Sequence, residues 1–157
     1  MTKADAPSID VQIDSDGWPP AVRLAKLCNT SIGAAAMRLE RPAHGEICVL
    51  FTDDARMRDF NDRFRGKAQP TNVLSFPAHG DVTDRLGDIA LGRETVFREA
   101  EEKAIPVEDH VSHLVIHGFL HLQGLDHQTD TEAEAMEALE REALFDIGVA
   151  DPYEARR

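Results

Sequence analysis

Four short stretches of the chain carry the hydrophobic patterns of β-strands. Residues 8–13 alternate apolar and polar side chains, which is typical of a strand with one buried face. Residues 46–52 form a continuous apolar run that is short enough for a central strand. Two shorter runs, at 72–76 and 87–91, predict two further strands.

Five segments have apolar residues at helical spacing. Pro19 and Pro20 open the first, and its apolar positions continue to Ala35. The last is predicted to begin with a capping box formed by Thr131 and Glu134. The helices predicted between them cover about 54–64, 94–103 and 107–123. The third of these is the most apolar, so we expect it to be the most buried.

The order of these elements indicates the fold class. Strand, helix, strand, helix, two strands and three helices predict an α/β (α+β) architecture, with a four-stranded mixed sheet packed against about five helices. A length of 157 residues suits one domain. We place this domain at 8–150, with tails at 1–7 and 151–157.

Composition and charge narrow the choice of compartment and partner. The net charge of −12 argues against broad, non-specific binding to nucleic acid, which depends on neutralising phosphates. Apolar runs stay well short of the roughly 20 residues that span a membrane. The first seven residues lack the apolar core of a secretory signal, so we expect a cytoplasmic protein without a membrane partner. Cys28 and Cys48 are interpreted as small buried hydrophobes rather than a disulfide.

A histidine-rich segment, residues 117–127, carries the main chemical signal: HGFLHLQGLDH. On a helix, His117 and His121 lie on one face, about 6 Å apart along the axis. Gly124 can end the helix in the left-handed conformation, and the chain then delivers His127 from outside it. Three imidazoles are a known catalytic zinc set, with water in the fourth tetrahedral position. The spacing therefore predicts a single zinc site.

Two more histidines lie upstream on the same helix. His113 and His121 are about 12 Å apart by helix rise, too far for one ion whose bonds are about 2.1 Å long. The helix break at Gly124 favours pairing His117 with His121. His113 is then expected to support a ligand or to line the cleft, and His110 to lie at the surface.

The same histidine spacing occurs in a class of zinc peptidases. Those enzymes need a glutamate directly after the first histidine, where it acts as general base. Here that position is Gly118, which cannot move a proton. A glycine inside a helix also costs about 1 kcal/mol. We therefore expect Gly118 to serve packing or to leave room above the metal.

Three blocks together resemble the bacterial YbeY-type endoribonucleases. They are HGFLHLQGLDH, FRGKAQPTNVLSFP at 64–77 and LGDIAL at 86–91, and the likeness extends over roughly residues 8–147. The resemblance implies that His117, His121 and His127 occupy the family's metal positions. It also places Arg65 at the family's functionally important arginine, where a guanidinium can clamp the phosphate undergoing hydrolysis. Otherwise the basic cluster around Arg65 is interpreted as a solvated helix face.

The resemblance further implies a zinc-dependent endoribonuclease specific for single-stranded RNA. It would act in ribosomal RNA maturation at the small-subunit 3′ end and in ribosome quality control. Small-subunit ribosomal proteins and an assembly GTPase are the implied partners. Two other functions stay open: a metal-dependent hydrolase of a small molecule or peptide, and a ribosome-assembly binding factor whose metal is structural.

Four polar residues near these motifs each have two interpretations. Thr71, Asn72 and Ser75 suit either phosphate or sugar contacts or a capped turn into a strand. Asp126 either orients a metal ligand or caps the turn before His127.

Overall fold

The nine predicted elements are all present in a computed structural model, which describes residues 6–40, 43–66, 71–78 and 84–153. The strands are β1 (Ser8–Ile13), β2 (Glu46–Thr52), β3 (Val73–Pro77) and β4 (Arg85–Gly92). The helices are α1 (Ala21–Met37), α2 (Asp54–Arg65), α3 (Arg93–Lys103), α4 (Val107–Leu122) and α5 (Asp130–Asp146). The side chain of Arg65 lies outside the described part of the chain.

The four strands form one mixed sheet in the order β1-β2-β4-β3. β2 pairs in parallel with β1 and with β4, whereas the edge strand β3 runs antiparallel to β4. The parallel pairs need crossover helices, which explains why α1 and α2 separate β1, β2 and the β3–β4 pair. The predicted fold class is confirmed.

The main core lies between one face of the sheet and helices α1, α4 and α5. Alternate residues of β2, namely Ile47, Val49 and Phe51, are fully buried against it. A smaller cluster, formed by Met57, Leu74 and Ala90, lies on the other face beneath α2. The predicted burial of α4 is confirmed, since ten of its residues are buried.

The start of α5 differs from the prediction. The capping box is formed by Thr129 and Glu132 rather than by Thr131 and Glu134. The Thr129 hydroxyl accepts from the Glu132 main-chain N–H at 3.1 Å, and the Glu132 carboxylate accepts from the Thr129 N–H at 3.2 Å. Two overlapping Thr-x-x-Glu spacings occur here, and the helix begins at the earlier one.

Two further expectations need correction. The prediction that His110 lies at the surface is wrong: the residue is 1% exposed, because α3 packs over this side of α4 and Glu99 accepts a hydrogen bond from its ring. Residues 151–153 do not behave as a tail, since Tyr153 contacts α5 through a hydrogen bond from its hydroxyl to Glu140. Of the remaining tail residues, 6 and 7 are described, whereas 1–5 and 154–157 lie outside the described part.

The prediction of two small buried cysteines holds in full only for Cys28. Cys28 is buried, Cys48 is half-buried, and both are free thiols. Among the described helices, none combines the length and apolar character needed to cross a membrane.

Candidate metal centre

Three histidines meet where α4 ends and the chain turns back. His117 and His121 lie one turn apart on α4, and Gly124 has the left-handed φ of +91° that the turn requires. His127 then faces both rings, with ring centroids 5.6 Å from His117 and 5.1 Å from His121. One nitrogen from each ring lies within 4.8 Å of the other two, so the group could hold a metal ion.

Hydrogen bonds on the far side of two rings decide which nitrogens face the centre. The Nδ1 of His117 contacts a Glu140 carboxylate oxygen at 2.9 Å, and the Nδ1 of His121 contacts the Leu125 carbonyl at 3.0 Å. Both acceptors lack protons, so each Nδ1 carries the ring proton and each Nε2 keeps a free lone pair. The tautomers follow from these partners.

The two Nε2 atoms lie only 3.2 Å apart. Two lone pairs at that distance repel each other unless a cation lies between them. Two nitrogens bound to one tetrahedral zinc, at about 2.0–2.1 Å each, lie about 3.3 Å apart. The His117–His121 pair therefore fits zinc in both chemistry and spacing, and His127 offers a third nitrogen within 4.8 Å of both.

Burial and neighbouring histidines favour the metal-binding form of His121. Burial lowers the pKa of His121, and the neighbouring His117 and His127 lower it further. A lowered pKa favours the neutral imidazole, which is the form that binds metal. His127 is exposed while the other two rings are half-buried, so the site opens to solvent on the His127 side.

A buried carboxylate supports the centre from behind. Glu140 on α5 is 1% exposed and contacts His117 through one oxygen. Its other oxygen contacts the Nε2 of His113 at 2.6 Å and accepts a hydrogen bond from the Tyr153 hydroxyl. Burial alone would raise the pKa of Glu140, but the hydrogen bonds from His113 and His117 outweigh it and lower the pKa to about 2. His113 thus lies behind His117, as a supporting residue.

Comparison with known proteins places this arrangement in a family. The sequence profile of the family described as Endoribonuclease YbeY matches residues 12–148. A relative of that name from Chelativorans sp. (strain BNC1) is 50% identical over 151 residues and is aligned over 93% of each chain. Another from Maricaulis maris (strain MCS10) is 47% identical, over 93% of this chain and 91% of the relative. The chain belongs to the Endoribonuclease YbeY family.

Membership of the YbeY family confirms the resemblance inferred from the sequence motifs. The solution structure of TM1509 from Thermotoga maritima is similar to this chain with a TM-score of 0.57, at 23% identity, over 88% of this chain and 91% of the other. At that identity the likeness concerns the fold alone, and it agrees with the mixed sheet described above.

The arginine that the YbeY resemblance singled out lies at the end of α2. Arg65 is the last residue of that helix, and Gly66 caps it with a φ of +69°. The Arg65 side chain and residues 67–70 lie outside the described part of the chain, so its catalytic role stays a prediction. Elsewhere on α2 the basic residues are exposed, with Arg63 3.7 Å from Asp59.

The polar residues of the second YbeY block contact protein. The Asn72 side chain accepts from the Val73 N–H at 2.6 Å and donates to Glu99 at 3.0 Å. The Ser75 hydroxyl donates to the main chain of α4. The contact with Val73 favours the capped-turn interpretation for Asn72, whereas Ser75 lies within β3 and joins that strand to α4. Thr71 is half-buried beside residues 67–70, which the structure does not describe, and its role stays open.

Asp126 also acts within the fold. Its carboxylate accepts from the His127 main-chain N–H at 2.7 Å, which favours the turn-capping interpretation. By fixing this turn, Asp126 sets where His127 leaves the backbone.

Sequence reasoning missed two residues behind the metal centre, Glu140 and Tyr153. Glu140 had a detectable signal, because it occupies an inward position of α5 in line with Met136, Ala143 and Leu144. A lone acid in an apolar helical stripe indicates a buried polar partner. Tyr153 had no such signal, since it follows the last helix.

Proposed function

We propose that this chain is a metal-dependent endoribonuclease that hydrolyses phosphodiester bonds in single-stranded RNA. Its role is the maturation of ribosomal RNA, at the small-subunit 3′ end, and ribosome quality control. The observation that carries the proposal is the convergence of three imidazoles, each with a nitrogen within 4.8 Å of the other two, in a member of the Endoribonuclease YbeY family. The proposed metal is zinc, held by His117, His121 and His127.

The residues around the centre have different roles. When bound, zinc supplies Lewis-acid chemistry, activating water near neutral pH and offsetting negative charge. Glu140 and the Leu125 carbonyl hold the Nδ1 protons of His117 and His121, which leaves both Nε2 atoms free to bind the ion. Exposed His127 borders the side from which RNA approaches. Position 118 is glycine, so the centre lacks the glutamate that acts as general base in the zinc peptidases.

Arg65 is proposed as the residue that clamps the reacting phosphate. During hydrolysis the non-bridging oxygens gain negative charge, and a guanidinium offers a fixed fork of donors to them. Its position at the end of α2, in a segment rich in basic residues, supports this role.

An apolar groove supports single-stranded RNA as the substrate. The groove has a volume of about 880 Å³, lies along the sheet beside α2, and is lined in part by Phe60, Phe64 and Phe76. Phe64 is 65% exposed. Exposed aromatic rings stack unpaired bases, which a duplex keeps inside its own stack. Ser75 of the edge strand β3 is among the lining residues, so the groove reaches this edge of the sheet.

Recruitment through proteins suits the charge of the chain. A net charge of −12 gives little general attraction to RNA. We therefore propose small-subunit ribosomal proteins and an assembly GTPase as partners that bring the enzyme to its RNA, and the cytoplasm as its compartment.

Matched alanine variants test the function. His117→Ala is expected to remove bound zinc and cleavage of single-stranded RNA together, and Arg65→Ala is expected to remove cleavage while zinc stays bound. The controls are His44→Ala and Arg98→Ala, which change residues outside the centre. Zinc content is measured by elemental analysis, and cleavage with single- and double-stranded RNA side by side. Cleavage by zinc-free, nuclease-clean His117→Ala would refute the proposal.

The ends of the cleaved RNA identify the attacking oxygen. Attack by water leaves no cyclic product, so we expect linear phosphate ends. A 2′,3′-cyclic phosphate would show that the neighbouring 2′-hydroxyl attacks instead. Mass spectrometry of a short RNA oligonucleotide separates the two outcomes.

A further inference from the structure

Glu140 is a buried charge that three hydrogen-bond donors enclose. It lies on α5, is 1% exposed, and contacts His113, His117 and Tyr153. A buried carboxylate is costly unless its oxygens are well bonded, and removing one partner from such a group is strongly destabilising. The network therefore has a defined geometry, with each oxygen assigned to particular donors.

One Glu140 oxygen controls the orientation of a proposed metal ligand. Its contact with the Nδ1 of His117, at 2.9 Å, holds the ring proton on the side away from the metal centre. The opposite nitrogen, Nε2, then points to the Nε2 of His121 at 3.2 Å. A carboxylate behind a metal-bound imidazole fixes the tautomer and raises the basicity of the ligand.

The other Glu140 oxygen connects the centre to the C-terminal segment. It contacts His113 at 2.6 Å and accepts from the Tyr153 hydroxyl. The Tyr153 ring also packs edge-on against His113, with centroids 5.6 Å apart. Asp151 accepts from the Tyr153 main-chain N–H at 2.8 Å, which fixes the turn that delivers the ring.

The two α4 ligands are supported in different ways. His121 is held by a main-chain carbonyl, that of Leu125, which no side-chain substitution removes. His117 is held by a side chain from another helix. The orientation of His117 therefore depends on how α5 and the C-terminal segment pack against α4.

We propose that Glu140 is the positioning residue of the metal centre, holding His117 in its metal-binding tautomer, and that Tyr153 holds Glu140 in place. This inference rests on the proposed function, because it assumes that His117 binds the metal. It makes residues 151–153 part of the support of the centre rather than a passive end of the domain.

Zinc affinity of the folded, zinc-free protein gives the first test. Glu140→Gln places an amide N–H₂ against one of the donors and removes the negative charge, so zinc should bind about 10–100-fold more weakly. Tyr153→Phe removes only the hydroxyl and should give a smaller loss. Glu134→Gln, an exposed residue on the same helix, is the matched control and should bind zinc like the wild type. Kd is measured by competition with a chromophoric chelator, and folding by circular dichroism.

The tautomer of His117 gives a second test that needs neither metal nor activity. Two-bond ¹H–¹⁵N correlation spectra of the zinc-free wild type, at alkaline pH, should show the His117 proton on Nδ1. A proton on Nε2, or an unchanged Kd in folded Glu140→Gln, would overturn the inference. If Glu140→Gln does not fold, the wild-type tautomer and the Tyr153→Phe affinity decide. A wild type that binds no zinc refutes the proposed function, while the tautomer still tests the role of Glu140.

Discussion

The Ser75 hydroxyl donates a hydrogen bond of 3.1 Å to the main-chain carbonyl oxygen of Gly118. This contact joins the edge strand β3 to α4 at the residue that follows His117. A Cβ atom at position 118 would lie 3.0 Å from a methyl carbon of Ile89 and 3.1 Å from the Ser75 hydroxyl oxygen. Glycine therefore allows α4 to approach the sheet closely, which supports the packing interpretation of Gly118.

Two helical glycines should respond differently to alanine. At Gly33 in α1, an added methyl group would meet no atom within 4 Å, so Gly33→Ala should raise the free energy of unfolding by about 0.5–1 kcal/mol. Gly118→Ala gains the same helix propensity, but Ile89 and Ser75 must both move away from the new methyl group. We expect this displacement to cost about 1–3 kcal/mol. Urea unfolding of both variants measures the difference. Equal stabilisation of the two would contradict the close approach of α4 to the sheet.

Much of the fold could be predicted because its signals are local. The strand patterns, the apolar face of α4 and the glycine at 124 each act over a few residues, and the structure places each where expected. The pairing of His117 with His121 followed from helix geometry and the position of that glycine.

Two of the errors share a different physical cause. The burial of His110 involves the packing of α3 over it, and the contact of Tyr153 with the fold is made to Glu140 in α5. Such contacts join separate elements of the fold, so no local sequence pattern predicts them. The start of α5 was ambiguous for a local reason, since two Thr-x-x-Glu spacings overlap and the earlier one forms the cap.

Acid should weaken the contacts that Glu99 of α3 makes with Asn72, in the turn before β3, and with His110 of α4. Burial acts to raise the pKa of Glu99, but hydrogen bonds from His110 and Asn72 outweigh it and lower the pKa below its ordinary value of 4.5. A lowered folded-state pKa means that the ionised group contributes stability above the unfolded value, and that this contribution is lost as the pH falls through the folded value.

The Glu99→Gln variant tests this dependence. The difference in unfolding free energy between wild type and variant should be largest at about pH 5–6 and above, and should shrink as the pH falls below the ordinary carboxyl value of 4.5. Urea unfolding over this range measures it, with exposed Glu101→Gln as the control on the same helix. A difference that does not change with pH would contradict the role assigned to ionised Glu99.

The two thiols should differ in reactivity. Burial raises the pKa of Cys28 to about 12, so its reactive thiolate is scarce in the folded protein. Burial also raises the pKa of half-buried Cys48, and the nearby carboxylates of Asp88 and Asp10 add to this effect. Under native conditions we expect slow labelling of Cys48 alone, and labelling of both thiols in denaturant. Mass spectrometry after iodoacetamide treatment identifies the labelled residue, and native labelling of Cys28 would contradict its burial.

Metal removal should abolish activity without unfolding the chain. The main core, built on residues such as Phe51, Leu120 and Ile116, is buried independently of the three histidines of the candidate centre, and a domain of this length needs no structural metal to fold. A chelator should therefore stop RNA cleavage while the far-ultraviolet circular dichroism stays unchanged, and added zinc should restore cleavage. Zinc at about 100 times its Kd should also stabilise the fold by about 2.7 kcal/mol, seen as a higher Tm. Unfolding on chelation would instead favour an assembly factor with a structural metal, because a metal that the fold requires cannot be removed to leave a folded, inactive enzyme.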